Sequence, residues 1–324
     1  MKMKTEIKKT IQSLDRFLIT THINPEGDAI GSQLFICRML KKMGKRCKML
    51  NCDPVPPNLN FLPGADKIGL YRGGNVDIDK FDAFIILDCA DAERLGALGR
   101  FVSSARKTIN IDHHPSNSMF ADLNWIDPSA SSVGEMAYAL MEHCGVKPDY
   151  GLSLLAYVAI VTDTGSFRHS NTTFVTHKTA SALLKNGIKP DQVYSRLYEN
   201  NSLSRLQITG IGFSNLKIED SIIWSQIRPD DLKRTGAAED ELEGFIDMLK
   251  TVQNIKVAIV FQEQAGGIIK VSFRSKDKKI DVDKIASVFG GGGHKMASGC
   301  KIKGSLDTVK VKVLTEVKKN LKKD

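Results

Sequence analysis

The sequence predicts an α/β fold, a mostly parallel sheet flanked by helices, followed by a smaller C-terminal α+β domain. Three observations carry that expectation. From Lys8 to Phe174 strand-like apolar runs alternate with helix-like ones, the order in which parallel sheets are assembled. The strand-like runs are continuously apolar rather than alternating, as suits strands covered on both faces. Acidic or imidazole side chains stand directly after these runs, where open α/β sheets collect their ligands.

The elements follow in order. Phe17 to Thr21 reads as a strand, and His22, Glu26 and Asp28 come after it. Ala29 to Met43 carries a helical pattern, with Asp28 placed to serve as its N-cap. Arg46 to Leu50, Ala83 to Asp88 and Thr108 to Ile111 read as strands, and Ser132 to Cys144 as a helix. Gly151 to Val161 is apolar enough for a buried helix and runs into Thr162-Asp163-Thr164-Gly165. Pro190 to Leu216 is more polar and contains Asn200-Asn201-Ser202. The expected domains are therefore 1–186, a linker region 187–216 and a second domain 217–324. In the second, a strand Ser221 to Ile227 and a helix Ala237 to Val252 precede strands Lys256 to Glu263 and Ile268 to Arg274. The turn Ala265-Gly266-Gly267 joins those two strands, and a helix Asp283 to Phe289 enters Gly290-Gly291-Gly292-Gly293-His294. Val309, Val313, Leu314, Val317 and Leu321 repeat at helical spacing, so Lys310, Lys312, Lys318, Lys319, Lys322 and Lys323 form the wet face of a terminal helix.

Composition narrows the class. A chain of 324 residues exceeds the size at which a single core stops growing, so two domains are expected. No apolar run approaches the roughly 20 residues that span a bilayer, and the lysine-rich start, Met1 to Lys9, leads into no signal-peptide core. The expected location is the cytoplasm, with no membrane partner. Cys37, Cys47, Cys52, Cys89, Cys144 and Cys300 show no CxxC pair, which argues against a disulfide framework and a structural zinc site. The formal charge of +9 suits an anionic partner such as a nucleotide or nucleic acid.

His22, Glu26, Asp28, Asp88, His113 and Asp163 supply four carboxylates and two imidazoles at the ends of four apolar segments. Crowded together, the carboxylates would repel one another and resist desolvation, and two divalent cations would cancel that charge. Oxygen and imidazole ligands without thiolate point to Mn2+ first, with Mg2+ or Co2+ as alternatives. A carboxylate shared by two ions is the signature of a two-metal hydrolase, and Asp88 is the candidate bridge.

Ile111-Asp112-His113-His114-Pro115 carries a resemblance, together with His22-Ile23-Asn24-Pro25-Glu26-Gly27-Asp28-Ala29-Ile30-Gly31-Ser32, Leu87-Asp88 and Val161-Thr162-Asp163-Thr164-Gly165-Ser166-Phe167-Arg168. The set resembles the DHH phosphoesterase superfamily, named for the triplet at Asp112, His113 and His114. Gly290 to Gly299 resembles the DHH-associated domain, and the branch resembled most is that of nanoRNases and phosphoadenosine-phosphate phosphatases. The resemblance implies that His22, Glu26 and Asp88 hold one metal and that Asp28, Asp88, His113 and Asp163 hold the other. It places His114 beside the reacting phosphate, with Asp88 and His114 as the catalytic pair. Glu26 departs from the family pattern, which has Asp there.

The glycine run lets backbone N–H groups approach a phosphate closely, so Gly291, Gly292 and Gly293 join His294, Arg274, Ser275 and Arg168 as candidate substrate-binding residues. His143, His169 and His177 have no partners in the pattern and are read as structural or exposed. The implied activity is hydrolysis of short RNA oligonucleotides to nucleoside 5′-monophosphates, with phosphoadenosine phosphate as a second substrate held in a cleft between the domains. The second domain lacks the aromatic interleaving that long strands need. A cyclic-dinucleotide phosphodiesterase is the nearest alternative, and an inactive nucleotide-binding protein is the alternative of another class. A RecJ-like exonuclease is expected to be longer, and a family II pyrophosphatase would not carry the glycine run. Homodimerisation is left open.

Overall fold

Strand β1 (Arg16–Thr21) buries the run Phe17-Leu18-Ile19 completely. In the computed structural model, which describes residues 2–74 and 76–321, it is a central strand of a six-stranded sheet. The others are β2 (Arg46–Asn51), β3 (Ile68–Leu70), β4 (Ala83–Leu87), β5 (Thr108–Asp112) and β6 (Leu123–Ile126). Their order is β3-β2-β1-β4-β5-β6 and every pairing is parallel. This is the doubly wound order, whose direction of winding reverses between β1 and β4. The reversal parts the loops after those two strands and leaves a crevice at their carboxyl ends, into which His22 and Asp88 follow directly.

Six helices surround this sheet: α1 (Lys2–Ser13), α2 (Gly27–Lys42), α3 (Val133–Cys144), α4 (Tyr150–Asp163), α5 (Phe174–Leu184) and α6 (Pro190–Tyr198). Helix α4 is buried at every position from Gly151 to Val161, which explains why it reads as apolar all round rather than amphipathic. Each fully buried Leu, Ile or Val contributes roughly 1.5–3 kcal/mol relative to exposure, so α4 anchors the unit. Helix α3 approaches it so closely that a Cβ on Gly134 would lie 2.3 Å from that of Ala159. The lysine-rich start is itself a helix, α1, held to the core by Ile7 and Ile11.

The chain divides into two units, the first running to Asn200 and the second from Asn201. The stretch 187–216, read from sequence as a polar linker region, is largely helical: α6 in the first unit, with Val193 and Leu197 buried, and α7 (Leu203–Ser214) in the second, with Ile208 and Gly212 buried. Each buries only two positions one helical turn apart, while Tyr194 and Tyr198 of α6 and Leu203, Leu206 and Phe213 of α7 are exposed.

The second unit is a mixed sheet of β7 (Lys217–Glu219), β8 (Ile222–Ile227), β9 (Val257–Gln264), β10 (Ile268–Ser275), β11 (Gly292–His294) and β12 (Ala297–Lys303), in the order β11-β12-β10-β9-β8-β7. Only β8 and β9 run parallel. Helices α8 (Pro229–Thr235), α9 (Phe245–Leu249), α10 (Val282–Ser287) and α11 (Leu306–Leu321) complete it. The single helix expected over 237–252 is instead a 3-10 turn at Glu239–Leu242 and the short α9, separated at Gly244, whose φ of 81° is left-handed and ends any α-helix. In α11, Leu306, Val309, Val313 and Val317 form the buried stripe, while Lys310, Lys318 and Lys319 pair with Asp307, Glu219 and Glu316. Lys322 and Lys323 lie outside the described residues. Among the described residues no helix is long and apolar enough to cross a membrane.

Candidate active site and metal centre

Asp88 follows β4 with a left-handed backbone, φ 54°, while its N–H still donates to the Ile111 carbonyl in the neighbouring strand. Left-handed geometry costs a non-glycine residue on the order of 1 kcal/mol, although aspartate tolerates it better than most. It turns the carboxylate among three imidazoles. His22 Nε2 lies 3.4 Å from Oδ2, and His113 Nε2 and His114 Nδ1 lie 3.7 and 3.6 Å from Oδ1. Oδ1 itself is buried and accepts no hydrogen bond. A buried carboxylate oxygen left without a donor is costly, and a cation is the partner that resolves it.

The imidazoles are oriented for the same purpose. His22 Nδ1 donates to the Ile23 carbonyl at 2.7 Å and His113 Nδ1 to the Ala130 carbonyl at 3.3 Å. A carbonyl accepts only, so in both rings the Nε2 lone pair is left facing Asp88, as a metal ligand requires. His113 Nε2 is also 3.6 Å from Asp163 Oδ2, and Asp28, His113 and Asp163 offer ligand atoms within 4.8 Å of one another. Asp88, His113 and His114 form a second such group. His114 Nδ1, the nitrogen 3.6 Å from Asp88 Oδ1, already donates to Asp112 Oδ1 at 2.7 Å and so has no lone pair left for a cation.

Asp28 is the second residue of α2 rather than its N-cap; Glu26 occupies the cap position. The Asp28 carboxylate accepts from the N–H groups of Val133 and Gly134 in the first turn of α3 and from Ser32 Oγ. The N-terminus of α3 thus faces a buried acid that itself sits in the first turn of α2, which fixes it and favours its charge. Burial, reinforced by Asp88 and Asp163, nonetheless holds Asp28 well above the ordinary carboxylate value. Burial, the charge of Asp88 and that of Glu26 likewise push Asp163 up to about 6, against the opposing pull of His113. Burial would depress His22, yet the hydrogen bond and charge of Asp88 outweigh it and raise the imidazole. The whole cluster is short of positive charge. Its donor set fits divalent cations, with His22, Asp28, Asp88, His113 and Asp163 gathered in one place.

Glu26 stands apart. It is exposed, makes no side-chain cap bond, and lies outside both ligand groups, although its charge reaches Asp163. Two supporting residues, Asn171 and Arg94, were not singled out from sequence, and a third, Asp112, was read there only as part of the triplet. Buried Asp112 accepts from both His114 Nδ1 and Asn117 Nδ2; burial opposes its charge, but these bonds hold it below the ordinary value and, in turn, raise His114. Asn171 donates to Asp163 Oδ2 and to the carbonyls of Asp163 and Ser131. Arg94 brings a guanidinium nitrogen 3.5 Å from His22 Nδ1. Only the run Ser166-Phe167-Arg168-His169-Ser170-Asn171 beside Asp163 hinted at Asn171. Nothing local marked Arg94.

In the second unit, the register places His294 opposite Ala297 and Ala297 opposite Arg274. Residues directly opposed share a sheet face, so His294 and Arg274 stand two strands apart, about 9–10 Å, on one face. Arg274 also pairs with Asp247 at 3.1 Å. Ser275, next along the strand, is buried on the other face and donates to the Asp277 carbonyl. Gly292 and Gly293 lie in exposed edge strand β11. Gly291 is a close-packing position, since a Cβ there would fall 2.2 Å from the Gly299 carbonyl. In the first unit, Arg168 is exposed and pairs with no carboxylate among the described residues. His177 stacks on Phe167, His143 Nε2 meets Thr5 Oγ1, and His169 Nδ1 lies 3.4 Å from the Asp163 carbonyl.

Residues 16–162 match the DHH family N-terminal domain and residues 219–323 the DHHA1 domain. The bifunctional oligoribonuclease and PAP phosphatase NrnA of Bacillus subtilis is 33% identical over 307 residues, 93% of each chain. This chain belongs to the DHH phosphoesterase family. The NrnA protein of Thermus thermophilus is 30% identical, covering 99% of this chain and 94% of its own. An exopolyphosphatase-related protein of Bacteroides fragilis, of known structure, superposes with a TM-score of 0.87 at 26% identity over 98% of this chain and 96% of its own. As a DHH phosphoesterase the chain is a hydrolase of phosphoester bonds, and its acidic and imidazole cluster lies in the matched N-terminal domain apart from Asp163, one residue past the matched segment.

Proposed function

We propose that this protein cleaves short RNA oligonucleotides to nucleoside 5′-monophosphates and removes the 3′-phosphate from 3′-phosphoadenosine 5′-phosphate, in the cytoplasm. The single observation that carries the reading is the buried carboxylate of Asp88, ringed by His22, His113 and His114, in a chain similar along its length to enzymes that bear both activities. His22 and Asp88 would hold one cation, with Glu26 the weaker contributor; Asp28, Asp88, His113 and Asp163 would hold the other. Mn2+ is the first choice, with Mg2+ or Co2+ as alternatives. Bound there, the cations would supply charge neutralisation and the Lewis acidity that readies water for attack at phosphorus.

The protein's own groups do the rest. Asp112 accepts the Nδ1 hydrogen of His114, so Nε2 is the atom presented outward, and its raised affinity for a proton suits it to protonate the departing oxygen. Arg274 and His294 on one sheet face, with the backbone of Gly292 and Gly293, would bind the end of the nucleotide; in the first unit, exposed Arg168 would bind a substrate phosphate. Gly291 and Ser275 serve packing in this scheme. A homodimer is the assembly to look for in solution.

The test is a set of parallel hydrolysis rates with Mn2+ on di- to pentanucleotide RNA, 3′-phosphoadenosine 5′-phosphate, cyclic di-AMP and pyrophosphate. The reading expects the short RNAs and the bisphosphate to be cleaved fastest. Preference for cyclic di-AMP would replace it with a cyclic-dinucleotide phosphodiesterase, and inactivity on all four would leave a nucleotide-binding protein.

A further inference from the structure

We propose that Arg94 is a substrate-binding residue of the active site, gripping the non-bridging oxygens of the phosphate under attack; this rests on the phosphoesterase reading above. The root of the side chain is fixed beside the metal-ligand cluster. The Arg94 N–H donates to Asp91 Oδ1 at 3.0 Å, and its carbonyl accepts from the Ile23 N–H at 2.7 Å, one residue past His22. The side chain is half-buried, and its guanidinium reaches within 3.5 Å of His22 Nδ1.

That contact does not satisfy it. His22 Nδ1 already donates to the Ile23 carbonyl at 2.7 Å and has no lone pair left to accept from Arg94. Among the described residues no carboxylate pairs with the guanidinium either. Arg100, six residues on, shows what a structural arginine looks like here: it donates to Tyr71 and to the Gly74 carbonyl and lies over the Phe101 ring. Arg94 has none of this, yet its charge bears on His22, Cys89 and His114. A cation held against a metal-binding imidazole works against both metal and proton there, and an incoming anion is what offsets that cost. The planar fork matches two oxygens of a phosphate. Two divalent cations would cancel the four carboxylates of the site, so protein cations are left to meet the charge of the substrate, and Arg94 is placed at the cluster itself.

The experiment compares wild type with Arg94→Met, Arg94→Lys and Arg94→Ala. It reads kcat and KM on a dinucleotide RNA with Mn2+, Mn2+ affinity by calorimetry without substrate, AMP affinity in the presence of Mn2+, and thermal unfolding. We expect Arg94→Met to lower kcat/KM by about 100- to 1,000-fold, the loss typical of one donor to developing charge. It should weaken AMP by about 10-fold with Mn2+ affinity unchanged. Arg94→Lys should fall between, and guanidinium ion should restore part of the Arg94→Ala activity. A kcat/KM within threefold of wild type overturns the proposal, as does a loss matched by lost Mn2+ affinity, which would mean that Arg94 acts through His22. If Arg94→Met fails to unfold cooperatively, Arg94→Lys carries the same comparison. If wild type does not cleave the dinucleotide, the phosphoesterase reading falls on its own, and the AMP titration alone decides Arg94.

Discussion

In the N-terminal unit every strand of the sheet runs the same way, and side chains from β1, β4, β5 and the end of α4 meet at one rim although they span residues 22 to 163. In the C-terminal unit most neighbours run antiparallel, so strand ends alternate between rims, and the candidate binding groups are arranged across the sheet, His294 to Ala297 to Arg274. The first plan concentrates charge and suits chemistry. The second spreads donors over a face and suits grip. Loss of a group at the rim should therefore strike turnover, and loss of a group on the face should strike affinity.

The largest effect is expected at Asp88. Asp88→Asn should lower kcat by on the order of 1,000-fold or more, the several kcal/mol that metal-assisted charge stabilisation supplies, with unfolding temperature little changed. Turnover near wild type with Mn2+ present would remove Asp88 from the centre of the account. Next comes Asp112→Asn, which leaves His114 without its carboxylate partner. A fall in kcat of about 100-fold with KM nearly unchanged is expected, and a loss confined to KM would show that the Asp112–His114 pair is structural. Arg274→Ala belongs to the other plan. It should raise KM by about 10-fold or more, the worth of a charged hydrogen bond, and change kcat less; an unchanged KM would take Arg274 out of the site.

The strand ends were legible because a buried parallel strand must be apolar throughout, so an acid or imidazole at its terminus stands out, as at Asp88 after Phe84-Ile85-Ile86-Leu87. The helical stripe Val309, Val313 and Val317 was legible for the corresponding reason. The break at Gly244 was not, because a glycine inside a helical pattern reads as tolerated until its φ is known. Arg94 and the role of Asp112 were hidden for a deeper reason. Asp112 acts through a ring two residues away, and Arg94 is left without an acceptor because a ring 72 residues away already donates to a backbone carbonyl, and no sequence pattern encodes which ring nitrogen is occupied. Glu26 shows the reverse: a motif position identified it, while the structure leaves it exposed and outside the ligand groups.

The smallest effect concerns stability of the metal-free protein. Asp28 and Asp163 lie above their ordinary value, Asp163 at about 6, so the folded state binds protons more tightly than the unfolded chain. Stability should then fall as pH rises from near 4 to above 6, and the raised His22 and His114 act in the same direction. A drop in unfolding temperature on the order of 5 °C is expected, and saturating Mn2+ should remove it. A metal-free protein that gains stability over that range would contradict the crowding of acids at the rim.

The most direct measurement is anomalous diffraction from crystals soaked in Mn2+. The account predicts two manganese peaks about 3.5–4 Å apart, one on either side of the Asp88 carboxylate, with His22 on the first and Asp28, His113 and Asp163 on the second. No anomalous density at Asp88, or manganese bound only elsewhere, would contradict it.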